Sequence, residues 1–259
     1  MSLKRDGYSV LDLPPEVTHY IRRVVESIEE KFVWLPNYKE HDLDAHARTA
    51  GICSGIPKQA ILCEIDYFRS ILGGDIHIQR KPYLRISRPG EGKDNIGYHR
   101  DTWYGDTPYE LSVWIPLTDT DEGNCLYVKP GSHIAPESAY PTKRISRPDV
   151  KKGGKKHSLG FIYDPPKALS KPVKMTPVPV KVGQMIVFPL SLLHGQEINR
   201  SQYTRFSIDC RLANSLAPVK WARSRAKEYY EPLCSTEISD IAKAYYKANE
   251  RNIPKQQRD

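Results

Sequence analysis

Cysteine is scarce, and its spacing does not match the common cysteine-rich folds. The chain of 259 residues contains five cysteines, an odd number, and no Cys-x-x-Cys pair. Disulfide frameworks and zinc fingers need even-numbered or closely spaced cysteines, so the sequence argues against both classes. We expect reduced and mostly buried thiols, as in a cytoplasmic protein.

Long apolar stretches are also missing. The most apolar stretch, residues 185–193, is interrupted by Pro189 and Ser191, whereas a membrane-spanning helix needs about 18 consecutive apolar residues. The first residues run directly into charge and lack the apolar core of a signal peptide. We therefore expect no membrane partner and a cytoplasmic location.

Glycine is less frequent than proline, and tyrosine is abundant, with 16 glycines, 21 prolines and 16 tyrosines. This composition favours many short strands joined by turns over a helical bundle. Hydrophobic residues make up 39% of the chain, which is enough for one sizeable core. All-β barrels often reach this length as a single domain.

Positive charge is concentrated in one segment. The ten basic and two acidic residues between Lys143 and Lys174 account for the whole net charge of +8, and the rest of the chain is neutral. Because this segment is rich in Gly and Pro, it predicts a charged loop and not a uniformly basic surface.

Helical periodicity lies at both ends of the chain, and strand patterns lie between them. Apolar residues at three- and four-residue intervals predict helices over residues 16–32 and 57–72, and the spacing returns over residues 219–249. The predicted strands cover residues 83–87, 110–116, 125–129, 159–163, 173–180, 185–188 and 204–212. This order predicts an antiparallel sandwich or barrel flanked by helices.

Two histidines and one aspartate form a candidate metal site. His99 and Asp101 are two residues apart, and on an extended strand such residues point to the same face. His194 follows at the end of an apolar strand, next to Gly195. Two histidines and one carboxylate on one side of an ion suit Fe(II) that must bind substrate and oxygen together.

Two further histidines compete for the role of ligand. His77 lies beside the end of the second predicted helix, where we expect it to be structural. His133 lies in a Pro-Gly-Ser-His corner, where we expect it to hold the corner by hydrogen bonds and not to bind metal.

The strand over residues 204–212 carries a candidate anion site. Its alternation places Arg205, Ser207, Asp209 and Arg211 on one face and apolar residues on the other. An arginine inside a barrel needs an anionic partner. A dicarboxylate co-substrate supplies one, because a guanidinium matches a carboxylate with two parallel hydrogen bonds and Ser207 adds a third.

In this order, His99-x-Asp101, His194 and Arg205 resemble the iron- and 2-oxoglutarate-dependent oxygenases, and within them the phytanoyl-CoA dioxygenase-like family. The middle segment of that family carries a tryptophan strand, an acidic turn, an apolar strand and a Pro-Gly-Ser/Thr-His corner. Here these motifs are residues 113–119, 124–128 and 130–133.

The resemblance implies a mainly β fold with flanking helices, a double-stranded β-helix (a cupin-like jelly roll) with metal at its open end. It implies Fe(II), 2-oxoglutarate and O2, and it places Trp114 and Gln196 around the 2-oxoglutarate. The expected reaction is the hydroxylation of a small-molecule metabolite, which we leave open as an anionic compound or a biosynthetic intermediate.

We expect one oxygenase domain over residues 1–259. It would comprise a helical N-terminal part (1–80), a jelly-roll core (about 81–215) and a C-terminal helical extension (216–259). Residues 135–174 form a long connection in which Gly153-Gly154 offers a hinge, as in mobile lids. This basic connection either recruits an anionic substrate or only aids solubility.

Two other classes of function compete with the oxygenase. A non-oxidative cupin-like isomerase or binding protein would need the metal ligands but has no use for Arg205. A nucleic-acid binder would explain the pI of 9.1, but the basic segment contains few aromatic residues for base stacking, which makes nucleic acid a poor candidate partner.

Overall fold

The computed structural model describes residues 2–29, 49–144, 167–217 and 229–249. Its helices are α1 (Leu3–Asp6), α2 (Pro15–Glu29), α3 (Gly55–Cys63), α4 (Ile65–Leu72) and α5 (Glu237–Ala248). Its strands are β1 (Ser9–Asp12), β2 (Ile76–Gln79), β3 (Tyr83–Ser87), β4 (Glu110–Pro116), β5 (Leu126–Val128), β6 (Thr142–Arg144), β7 (Lys167–Leu169), β8 (Thr176–Val178), β9 (Gln184–Pro189), β10 (His194–Gly195), β11 (Arg205–Asn214) and β12 (Tyr230–Cys234).

Two antiparallel sheets face each other. The larger sheet has the order β1-β9-β4-β11-β2-β12, and β3 pairs with β11 beside β2. The smaller sheet has the order β10-β5-β8. From β8 to β11 the strands alternate between the small and the large sheet, as in a double-stranded β-helix, which confirms the predicted jelly roll with flanking helices.

The large sheet buries apolar side chains on both of its faces. On its outer face, helices α2 to α4 pack Ile21, Ile61 and Phe68 against β-strand residues such as Val113 and Ile208. On its inner face, a second apolar cluster fills the space toward the small sheet. Its members are Tyr8, Trp114, Leu126, Val128, Val178, Val180, Ile186, Phe188 and Leu192.

Strand β11 lies at the centre of the large sheet, and its two faces differ in chemistry. Phe206, Ile208, Cys210 and Leu212 belong to the outer core beneath the helices. The alternate residues point into the jelly roll, and they are polar, as the alternation predicts. A row of buried polar side chains therefore crosses the floor of the barrel.

Several predicted elements match the structure closely. Strands β3 and β4 have the predicted bounds, and β5, β8, β9 and β11 lie within or around their predicted ranges. The predicted strand over residues 159–163 lies outside the described residues. The described part of the first predicted helix is α2, whose Val17, Ile21 and Ile28 are buried.

Two helix predictions differ from the structure. The helix predicted over residues 57–72 is broken at Glu64, which separates α3 from α4. The sequence predicts a helical tail, but β12 joins the large sheet by pairing with β2, and α5 follows it in the part of the tail that the structure describes, residues 229–249. Strands β1 and β2 also lie outside the predicted jelly-roll core.

The basic connection is described only at its two ends. Strands β6 and β7 pair antiparallel, with Thr142 opposite Leu169 and Arg144 opposite Lys167. Residues 145–166 between them, including the predicted hinge at Gly153-Gly154, lie outside the described residues. Among the helices that the structure describes, none has the length and apolar character needed to cross a membrane.

Candidate metal centre

His99, Asp101 and His194 come together at the open end of the jelly roll. One potential ligand atom from each lies within 4.8 Å of the others, and all three residues are buried. In the described part of the chain this is the one cluster of three or more such residues. Neither His77, which lies on β2, nor His133 belongs to it.

Local backbone geometry aims these side chains at one point. Arg100 is extended (φ −109°, ψ 136°), so His99 and Asp101 point to the same side, as the sequence predicts. The strand does not continue, because Asp101 begins a 3-10 helix that runs to Tyr104. His194 faces His99 across an isolated β-bridge, in which each backbone N–H donates to the other residue's carbonyl at 2.8 and 2.9 Å.

The close approach of these two backbone segments explains Gly195. A Cβ at this position would lie 2.4 Å from the carbonyl oxygen of Gly97, which is a backbone atom that a rotamer change cannot move. Gly97 itself has a φ of +82°, in the left-handed region that favours glycine. Both glycines therefore allow the two histidine-bearing segments to pair.

Both imidazole rings are fixed in the same tautomer. His99 Nδ1 is 3.0 Å from the carbonyl oxygen of Gly97, and His194 Nδ1 is 3.0 Å from that of Leu192. A carbonyl can only accept, so Nδ1 carries the proton in each ring and Nε2 presents its lone pair. Burial, together with the nearby His99, lowers the pKa of His194 to about 4, so this ring is neutral at neutral pH.

The carboxylate of Asp101 is fully buried and faces both Nε2 atoms, at 3.5 Å from His99 and 3.9 Å from His194. Apart from the ion pair between Oδ2 and Arg211 Nη2 at 2.9 Å, neither of its oxygens has a hydrogen-bond partner among the described residues. Burial alone would raise the pKa of Asp101, but the charge of Arg211 and the two imidazoles outweigh it and hold that pKa well below its usual range.

Three electron-pair donors thus point at one another with no proton between them. This arrangement is repulsive by itself and is stabilised by a cation placed among the three atoms. Two imidazole nitrogens and one carboxylate oxygen on one side of an ion form the facial set typical of non-haem Fe(II) sites. The residues present therefore fit a divalent iron ion.

Arg205 lies deeper in the barrel, and it is 1% exposed. Its Nη2 donates to Gln196 Oε1 at 2.6 Å, its Nη1 donates to the carbonyl of Asn124 at 3.4 Å, and its guanidinium lies 5.4 Å from the Trp114 ring centre. The Nε of Arg205 and the hydroxyl of Ser207 are buried without a hydrogen-bond partner among the described residues. Burial lowers the pKa of Arg205 to about 10.

The structure therefore places Gln196 and Trp114 beside Arg205, and Ser207 lies two residues further along the same face of β11. A buried guanidinium and a hydroxyl with unused hydrogen-bonding capacity form a site that an anion would complete. Gln196 occupies part of this site, and its own Nε2 donates to the carbonyl of Asp94 at 2.6 Å.

A cleft extends from the metal ligands to Trp114 and Gln196, two residues that contact Arg205. Its volume is about 540 Å³ with the open solvent at its entrance included, and its walls include all three residues of the metal cluster, Trp114 and Gln196. Five more polar residues line the cleft, and the sequence alone did not assign them a role. They are Arg85, Asp94, Ser112, Asp209 and Arg211.

The signal for two of these residues was present in the sequence. The alternation of β11 placed Asp209 and Arg211 on the same face as Arg205, but it could not show how far along the barrel each would lie. Arg85 and Ser112 come from the neighbouring strands, where Ser207 is opposite Arg85 and Arg211 is opposite Ser112. Which residues lie opposite each other depends on the strand register, and the register could not be read from the sequence.

The Pro-Gly-Ser-His corner, residues 130–133, contacts the sequence neighbours of the metal-cluster residues and so helps to position the cluster. Ser132 Oγ accepts from the backbone N–H of Leu193 at 2.8 Å, one residue before His194. Arg100, which is 2% exposed, donates to the carbonyl of Ser132. His133 Nε2 is 3.1 Å from the carbonyl of Lys4, so this ring holds the corner, as predicted.

Comparison with known proteins agrees with this geometry. The sequence profile of the phytanoyl-CoA dioxygenase (PhyH) family matches residues 22–207. That range contains the two histidines, the aspartate and Arg205. A search of curated protein sequences gave no match.

Solved structures with low sequence identity share the fold. The non-haem monooxygenase ThoJ in its apo form is 18% identical with a TM-score of 0.55, over 96% of this chain and 94% of that chain. EctD from S. alaskensis, with 2-oxoglutarate and 5-hydroxyectoine, is 18% identical with a TM-score of 0.51, over 82% and 73%. The epimerase SnoN, with Fe3+, alpha ketoglutarate and nogalamycin RO, is 15% identical with a TM-score of 0.52, over 82% and 81%.

Proposed function

Because the chain belongs to the phytanoyl-CoA dioxygenase family, we propose that it is an Fe(II)- and 2-oxoglutarate-dependent dioxygenase that hydroxylates a small-molecule metabolite. The observation that carries the proposal is the proximity of two incomplete sites, because Gln196 and Trp114, which contact Arg205, line the same cleft as the metal cluster. A cation would complete the cluster of His99, Asp101 and His194, and a carboxylate would complete the site at Arg205.

In this proposal the three clustered side chains hold Fe(II) through His99 Nε2, Asp101 and His194 Nε2. The Nδ1 hydrogen bonds to backbone carbonyls keep both rings in the tautomer that ligation requires. With 2-oxoglutarate and O2, iron in such a site supplies oxidation of an unactivated C–H bond, with release of succinate and carbon dioxide. The protein contributes orientation and a dry pocket.

Arg205 would bind the far carboxylate of 2-oxoglutarate. Its guanidinium can form two parallel hydrogen bonds with a carboxylate, and Ser207 lies two residues further along the same face of β11 to add a third. Trp114 would shield this pair from water, and Gln196 would release Arg205 when the carboxylate enters. EctD and SnoN, which share the fold, were solved with the same co-substrate.

The competing interpretation, a non-oxidative cupin-like protein, does not account for Arg205. A buried cation without an anionic partner is costly, and the pKa of this guanidinium is already lowered by burial. A protein that only bound metal would have no use for a buried guanidinium, whose desolvation is unfavourable. The 2-oxoglutarate site therefore favours the oxygenase.

The proposed substrate is a small molecule that reaches the cleft past Trp103 and Tyr104, which lie on the 3-10 helix that begins at Asp101. The relatives of similar fold were solved with small molecules, 5-hydroxyectoine in EctD and nogalamycin RO in SnoN. We further propose an anionic substrate, because the basic segment borders this side of the barrel at β7. A cytoplasmic location and the absence of a nucleic-acid partner remain predictions.

Titration of 2-oxoglutarate into the Fe(II)-loaded protein under anaerobic conditions tests this function. We expect saturable binding that Arg205→Ala weakens by about one to several orders of magnitude. Arg205→Lys should rescue poorly, because a point charge cannot form the paired bonds, and both variants should keep their iron. No binding of 2-oxoglutarate by the iron-loaded wild type would refute the proposal.

A screen for succinate formation with a panel of small metabolites would then identify the substrate class. Product analysis by mass spectrometry distinguishes hydroxylation from desaturation, ring closure or epimerisation.

A further inference from the structure

We infer that Arg211 is a positioning residue that holds Asp101 as a one-oxygen metal ligand and so keeps a coordination position free for 2-oxoglutarate. The inference rests on the proposed function and deepens it, because Arg211 belongs neither to the metal cluster nor to the Arg205 site.

The position of the Arg211 guanidinium is fixed from several sides. Its Nη1 donates to Ser112 Oγ at 2.6 Å, and its Nη2 lies 2.9 Å from Asp101 Oδ2 as an ion pair. The backbone N–H of Arg211 donates to the side chain of Gln79 at 3.0 Å. The side chain is 7% exposed, and its backbone belongs to β11 at the centre of the large sheet. The guanidinium therefore has little freedom to move.

The two oxygens of Asp101 are therefore not equivalent. Oδ2 forms the ion pair with Arg211 at 2.9 Å and is the oxygen nearest to His194 Nε2, at 3.9 Å. Oδ1 is the oxygen nearest to His99 Nε2, at 3.5 Å. A cation that took both oxygens would approach the positive charge of Arg211. The favourable arrangement leaves Oδ1 for the metal and Oδ2 for the guanidinium.

This division matters because the cluster offers only three ligands. A facial set leaves the opposite side of an octahedral ion open for 2-oxoglutarate and oxygen. If Asp101 bound through both oxygens, it would occupy one of those open positions. Arg211 would thus act on the co-substrate without contacting it.

Arg211 can be removed without breaking the neighbouring ion pair. Arg85 donates to Asp209 from Nε at 2.7 Å and from Nη2 at 3.3 Å. The contact between Arg211 Nη1 and Asp209 Oδ2 is longer, at 3.8 Å. Asp209 therefore keeps its main partner when Arg211 is replaced, and the largest change falls on Asp101.

The test compares Arg211→Met with wild-type protein loaded with Co(II) as a spectroscopic probe. Methionine fills similar space without charge or hydrogen bonds. We expect the variant to retain Co(II), to show a changed visible absorption spectrum, and to bind 2-oxoglutarate at least about 10-fold more weakly. Ser112→Ala, which keeps the charge of Arg211 but removes the bond that aims it, should change the spectrum in the same direction to a smaller extent.

Arg88→Met is the matched control. Arg88 is also a buried arginine, ion-paired to Asp94 at 2.6 Å, and it is not among the ion-pair partners of Asp101. This variant should have a lower Tm but the wild-type Co(II) spectrum.

Two results would overturn the inference. One is a wild-type Co(II) spectrum and 2-oxoglutarate affinity in Arg211→Met. The other is parallel loss of Co(II) binding and Tm that Arg211→Lys does not restore, which would make the role structural. Failure of the proposed function gives a different result, in which wild-type Co(II) protein does not bind 2-oxoglutarate while the Co(II) spectra still report on Arg211.

Discussion

The chemistry of the candidate centre depends on which nitrogen of each imidazole carries the proton. Backbone carbonyls of Gly97 and Leu192 fix Nδ1 as the donor in both rings, so the Nε2 lone pairs are available before any ion arrives. A ring that a hydrogen bond already holds in the required orientation and tautomer loses little conformational entropy when it binds a metal ion.

Substitution of either histidine tests the choice of ligands. We expect His99→Ala and His194→Ala each to abolish stoichiometric iron binding, because two remaining ligands cannot hold the ion in the facial geometry. Metal analysis of the purified proteins measures this.

His133→Ala is the matched control for those two variants. It loses the contact with the carbonyl of Lys4, so it should lower the free energy of unfolding by about 1 kcal/mol and leave the iron content unchanged. Full iron content in either ligand variant would show that the wrong histidines were chosen.

Gln196 provides a second test, because its side-chain oxygen accepts a hydrogen bond from Arg205 Nη2 at 2.6 Å. In Gln196→Glu, a permanent carboxylate would pair with the guanidinium and compete with the co-substrate. In Gln196→Ala, the guanidinium would be left open.

We expect the Glu variant to bind 2-oxoglutarate at least about 10-fold more weakly than the Ala variant in calorimetric titration. Similar affinities for the two variants would mean that Gln196 does not lie in the path of the carboxylate.

The pairing of the two histidine-bearing segments makes a prediction for Gly195. In Gly195→Ala the new methyl group would meet the carbonyl oxygen of Gly97 at 2.4 Å, so the bridge between His99 and His194 must open. We expect metal affinity to fall by about 10- to 100-fold, as measured by competition with a chelator.

Gly92→Ala controls for the substitution itself. A Cβ at Gly92 would have its nearest neighbour, Ile198 Cδ1, at 3.8 Å, which is an ordinary contact. This variant should keep wild-type metal affinity. Unchanged affinity in Gly195→Ala would show that the bridge does not position the ligands.

Elements were predictable from the sequence where one local pattern decides the structure. Strands β3 and β4 have clear apolar patterns, and the faces of β11 follow from strict alternation. Strand β12 was missed because its pairing with β2 is a long-range contact, and local spacing in the tail favoured a helix. The helix break at Glu64 was hidden because apolar spacing continues through it.

The same distinction applies to the site. His99, Asp101, His194 and Arg205 were identified by their order and by a family resemblance. Arg211 was visible as a residue on the correct face, but its ion pair with Asp101 depends on the register of β11 and on the turn that begins at Asp101. The spacing of residues along the sequence determines neither this register nor this turn.

The uneven distribution of charge over the whole chain makes a prediction about substrate capture. Replacing Lys151, Lys152, Lys155 and Lys156 with glutamate would cancel the net charge of +8 between residues 143 and 174. These four lysines lie outside the described residues. If this segment recruits an anionic substrate, the variant should have a lower kcat/KM with a flatter dependence on salt, while 2-oxoglutarate binding is unchanged.

The matched control makes the same change of net charge elsewhere. Four exposed lysines serve for this purpose, and they are Lys4, Lys58, Lys243 and Lys247. Equal effects of the two quadruple variants would indicate a response to net charge alone. Unaltered kinetics of the first variant at low salt would leave the segment without a recruiting role.

The β6–β7 ladder gives the chain a place where its length can change during evolution. Residues 145–166 leave and rejoin the fold at the paired positions Arg144 and Lys167, and the entropic cost of a longer loop grows only slowly with its length. Insertions or exchanges there would keep the ladder in register, while Lys167 remains bonded to the carbonyl of Trp103. We therefore expect the length of this segment to differ between homologues more than the length of the segments that hold His99, Asp101 and His194.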